Sequence, residues 1–111
     1  MKNPIATWML WCQREDALIE FEIAVCAPYK NDDVWQCNWS LGLLYDRQPC
    51  PAIGISSMHA LACAQVGIST YLRSRQKAGD RFFMSPDSTD EDLMEDLDLF
   101  LPRLITQNEE A

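Results

Sequence analysis

His59 and Cys63 stand four residues apart in a stretch that reads as helix, so their side chains share one face, as helical pairs that chelate a metal do. Cys50 lies upstream, and Cys37 is a further candidate ligand. The Cys50-to-His59 spacing matches no common zinc finger, and none of the five cysteines forms a C-x-x-C pair. The same two residues could form a histidine-activated thiol. Cysteine catalysis also needs surroundings that stabilise the thiolate, often with an oxyanion hole and a third group orienting the histidine, and the sequence offers no residues for these roles. The carboxylates Asp90, Asp92, Glu95, Asp96 and Asp98 lack the glycine and ligand register of a calcium loop. The expectation is a chain with no catalytic set, no metal and no cofactor.

Charge is more informative than these pairs. Of 111 residues, the first 81 hold eight basic and eight acidic side chains, whereas residues 82–111 hold nine acids against Arg103. The whole net charge of −8 therefore falls in the last 30 residues. Such a field repels nucleic-acid phosphates and anionic lipid and favours encounter with cationic protein surfaces. Asp87, Asp90, Glu91, Asp92, Glu95, Asp96 and Asp98 repel one another with no base between them. They form either a solvated acidic face or a partner-binding face. Trp8 shares strand parity with Leu10 while Trp11 shares it with Thr7, Met9 and Gln13, so one of the two should be partly exposed. Trp11 is the candidate aromatic anchor beside the acids, the alternative being a tryptophan covered by the acidic segment or the tail.

These residues need a scaffold, and its elements follow from periodicity. Residues 7–12 read as a first strand, with Arg14-Glu15-Asp16 as a hairpin connection. Ile19, Phe21, Ile23 and Val25 alternate with Glu20, Glu22, Ala24 and Cys26, the period-two pattern of a half-buried strand, which Pro28 ends. After polar turn residues at 30–33, a third strand runs from Val34 toward Leu44, with Trp35, Cys37, Trp39, Leu41 and Leu43 on one face. Pro49 and Pro51 confine any strand near Ala52 to a short or edge position. Ser56 is the expected cap of a helix over 57–77, with Gly79 as its stop and Met58, Leu61, Ala62, Gln65, Ile68 and Leu72 as its buried stripe. Residues 81–84 read as a short strand, residues 88–96 as a short acidic helix and residues 97–101 as a last strand.

The expected fold class is therefore α+β: an antiparallel sheet of four to five strands, one long helix on one face and a short acidic C-terminal helix. Residues 1–106 form a single domain and residues 107–111 a frayed tail. The apolar run near the N-terminus is too short for a signal peptide or a membrane span, and the odd, dispersed cysteines read as reduced thiols, so a cytoplasmic location is expected.

Gly54-Ile55-Ser56-Ser57-Met58-His59-Ala60-Leu61 resembles a family of small uncharacterised bacterial domains whose long helix opens with glycine, an aliphatic residue, Asp-Ser and then Gln-Ala-Leu. Trp35-x-Cys37 and Leu101-Pro102-Arg103 are similar to the same family. The resemblance covers most of the chain and implies a structural role for these residues. Here Ser56 replaces the aspartate and His59 replaces the glutamine of a capping box, which puts the reciprocal bond in doubt.

Small size, localised acidity and surplus tryptophan point to a protein-binding domain of the immunity or antitoxin type, which neutralises a basic toxin or effector by covering it. The alternatives are a homodimeric regulatory or scaffold module, separable by light scattering, and a small enzyme or ligand carrier that depends on Cys63 and His59. No nucleic-acid or membrane partner is expected.

Overall fold

The computed structural model describes residues 4–45 and 50–87. Its elements are β1 (Pro4–Arg14), β2 (Ala17–Cys26), β3 (Tyr29–Asn31), β4 (Val34–Ser40), a 3₁₀ turn (Gly42–Leu44), β5 (Cys50–Gly54), α1 (Ser57–Lys77) and β6 (Arg81–Phe83). The six strands make one antiparallel sheet in the order β3-β4-β2-β1-β6, with β5 also on β4. Trp35 pairs with both Lys30 and Gly54, and Trp39 with both Val25 and Cys50, so β5 occupies the edge of β4 opposite β2 and β3.

The strand count exceeds the expected four to five because Pro28 does not end the pairing. β2 meets β4 at Ala24↔Ser40 and Val25↔Trp39, and β3 resumes at Tyr29↔Gln36, a slip of one residue along the same edge. Such a bulge accommodates a proline that cannot donate to a ladder. The turn is therefore Asp32-Asp33 alone, with Asp32 left-handed at φ 58. The β1–β2 hairpin turns just as tightly through Glu15-Asp16, with Glu15 at φ 55.

Alternation sorts the sheet into two faces. Leu10, Cys12, Phe21, Ile23, Val25, Cys37, Trp39 and Phe82 point to the side covered by α1 and join one buried cluster with Ala60, Ala64, Ile68 and Leu72. Phe21 meets Phe82 edge-on at 5.9 Å between ring centroids. Two expected core residues are exposed. Leu43 lies in the 3₁₀ turn, where strand parity no longer applies; Leu41 is buried as expected, and Leu44 is buried in place of Leu43.

Met58 is 80 % exposed because the buried stripe of α1 is Ala60, Ala64, Ile68 and Leu72, rotated from the one expected. Small residues on that stripe let the helix approach closely. A Cβ at Gly67 would stand 3.1 Å from the Trp39 ring, so that ring rests against the helix backbone. The expected acidic helix, the strand over 97–101 and the tail over 107–111 lie outside the described residues.

Candidate functional site

His59 opens α1 and is committed to capping it. Its backbone N–H donates to Ser56 Oγ at 3.1 Å, while its Nδ1 accepts from the Ile55 backbone N–H at 3.1 Å. In place of the reciprocal bond from the cap's own N–H, which the glutamine-to-histidine departure put in doubt, His59 takes the N–H one residue before the cap. Cys63 packs against the buried cluster. All five thiols are free, and among the described residues no group of three His, Cys, Asp or Glu is placed to hold a metal.

Three of these thiols, Cys12, Cys37 and Cys50, are also poorly activated. Burial, reinforced by the adjacent Asp80 carboxylate, pushes Cys12 up to about 12, and burial raises Cys37 and Cys50 as well. A protonated thiol is a weak nucleophile.

Sequence reasoning missed Asp80, which is buried at 4 % exposure between two arginines. Arg14 Nη2 donates to its Oδ2 at 2.8 Å and Arg75 Nε to the same oxygen at 3.0 Å. Burial opposes ionisation of Asp80, but the bonds from Arg14 and Arg75 outweigh it and hold the carboxyl below its usual range. The cluster ties the end of β1, the last turn of α1 and the approach to β6 together. Both arginines are engaged by this one buried carboxylate, so breaking the cluster would loosen all three elements at once.

The face opposite α1 has a different character. Met9, Trp11 and Gln13 of β1 lie on it by alternation, directly across from Glu22, Glu20 and Leu18 of β2. On the other flank Trp11 pairs with Phe83 and Gln13 with Arg81, whose guanidinium lies 5.4 Å from the Phe83 ring centroid. Phe83 is fully buried, Trp11 half-buried, and Met9, Leu18, Glu20 and Glu22 are exposed. Of the expected partner-binding residues, the structure places Trp11 here. Asp87 is exposed with its N–H on Ser85 Oγ, and Asp90, Glu91, Asp92, Glu95, Asp96 and Asp98 lie outside the described residues. Glu20 and Glu22 went unremarked as site residues, although their alternation with buried Phe21 and Ile23 carried the signal.

A cleft of about 190 Å³ opens between β1, β2 and α1, lined by Thr7, Trp8, Ile23, Val25, Gln65 and Ile68. No helix among the described residues is long and apolar enough to cross a membrane.

The fold and its two faces define a small α+β domain, an antiparallel sheet with one helix packed on one face among the described residues. The chain belongs to the family described as a domain of unknown function, DUF6968, which it matches over residues 6–91. No curated protein and no solved structure shows detectable similarity to it.

Proposed function

We propose that the chain is a protein-binding domain of the bacterial immunity type, acting in the cytoplasm by covering a basic toxin or effector. The observation that supports this reading best is the sheet face opposite α1, where half-buried Trp11 and exposed Met9 and Leu18 sit beside Glu20 and Glu22. Neither glutamate has an ion-pair partner among the described residues. An aromatic anchor with an acidic rim suits a cationic protein surface, for which desolvated tryptophan supplies affinity and unpaired carboxylates supply steering. The acids at residues 87–98 extend the same negative field along the sequence.

The test is capture of partners on the tagged chain at low salt, elution with salt, and titration of the eluted protein's activity with fresh chain. A stoichiometric basic partner whose activity falls to zero near equivalence supports the proposal. A partner that stays fully active when saturated with the chain contradicts the inhibitory role.

A further inference from the structure

We propose that Trp11, Glu20 and Glu22 form a receiving site for an arginine side chain of a protein partner, with the guanidinium flat on the indole and its N–H groups directed to the two carboxylates. The inference deepens the protein-binding reading and rests on it.

Trp11 and Glu20 are direct cross-strand partners, and Glu22 faces Met9 in the next outward pair, so Glu20 lies directly across from the ring and Glu22 on the diagonal, about 7–8 Å away and within reach of long side chains. Two like charges are thereby held side by side with no base among their cross-strand partners. Asp80, by contrast, takes two arginines. The indole N–H of Trp11 likewise has no hydrogen bond among the described residues.

The row Phe83, Trp11, Glu20 gives the face its chemistry. One strand away, the Arg81 guanidinium lies 5.4 Å from the centroid of the Phe83 ring, which is itself fully buried, so a guanidinium and an aromatic ring already meet next to Trp11. Trp11 presents a stronger π face than phenylalanine, with the Glu20 carboxylate directly across the strand, whereas among the described residues Phe83 pairs only with Trp11. Exposed Met9 and Leu18 flank the site and suit the methylene stem of a long cationic side chain. Arginine fits better than lysine because a planar fork can stack and pair with carboxylates at once, whereas an ammonium acts as a point charge.

The probes are three capped tripeptides, Gly-Arg-Gly, Gly-Lys-Gly and Gly-citrulline-Gly, titrated at low salt into the full ¹⁵N-labelled chain. The readout is the Trp11 indole N–H cross-peak, assigned with Trp11→Phe. The arginine peptide is expected to give a saturable shift, the lysine peptide a response several-fold weaker, and the neutral citrulline peptide none. Glu20→Gln with Glu22→Gln, verified as folded by its remaining cross-peaks, is expected to abolish the arginine response. Absence of a saturable shift with arginine, an equal response to lysine or citrulline, or an undiminished response in the double variant would each overturn the site. Should a basic partner be captured and inhibited while the arginine peptide gives no shift, the arginine site fails and the protein-binding reading stands.

Discussion

Gly54 and Ala60 are packed so closely that a Cβ added to the glycine would stand 2.4 Å from the Ala60 backbone nitrogen and 2.8 Å from its Cα. The end of β5 thus lies directly against the first turn of α1. That contact sets the rotation of the helix, so that Ala60, Ala64, Ile68 and Leu72 face the sheet. Because the obstruction is backbone, no side-chain rotation relieves it. Gly54→Ala is expected to cost about 2–3 kcal/mol, near the upper range for overpacking. Gly67→Ala, which meets only the Trp39 ring, is expected to cost less. Urea unfolding of both variants checks the order.

Asp80→Asn removes the charge that Arg14 and Arg75 share and is expected to destabilise the fold by about 2–3 kcal/mol, below the range for a fully buried pair because both arginines are about a third exposed. The pH dependence follows from the lowered carboxyl. The unfolded chain binds the proton at higher pH than the fold does, so the contribution of Asp80 is present above the ordinary carboxylate range and lost as pH falls through its folded value. Stability measured between neutral and acid pH should therefore fall less steeply in Asp80→Asn than in the wild type.

Cys12 predicts the opposite limb. Its thiol is held protonated up to about 12 against an ordinary 9.0, so its contribution is full below 9.0 and declines as pH rises toward 12. Cys12→Ala should flatten that alkaline decline. In the native chain at neutral pH, a thiol reagent should modify Cys12 and Cys37, both fully buried, no faster than the chain opens. Mass-mapped labelling with and without urea tests this directly, and rapid native labelling of either thiol would contradict it.

His59→Ala removes the acceptor for the Ile55 N–H and is expected to cost about 1 kcal/mol, the scale of a lost cap bond. His59→Gln restores an acceptor and should recover most of that loss. Thermal melts of the two variants separate this capping role from a ligand role, which glutamine would not rescue.

Much of the scaffold was legible in the chain. The alternation from Ile19 to Val25 marked β2 and its inner face, Ser56 marked the start of α1, and strand parity placed Trp8 with Leu10 and Trp11 on the other side. What stayed hidden depends on tertiary geometry. Asp80 looks like an ordinary loop acid until Arg14, 66 residues earlier, is brought beside it. Ile68 and Leu72 are buried as the apolar arc indicated, but at the start of the helix Ala60 and not Met58 faces the sheet, where Gly54 packs against it. Leu43 was misjudged because one 3₁₀ turn resets the parity of β4. Glu20 and Glu22 were read as the polar half of an alternation, and their placement beside Trp11 required the register of β1 against β2.

Association kinetics with the captured partner test the central claim most directly, comparing the wild type with Glu20→Lys combined with Glu22→Lys at low and high salt. The wild-type on-rate is predicted to fall steeply with salt, and the double reversal to slow association by about tenfold or more at low salt and flatten the salt dependence. Equal on-rates and equal salt dependence for the two chains would contradict docking through the sheet face opposite α1.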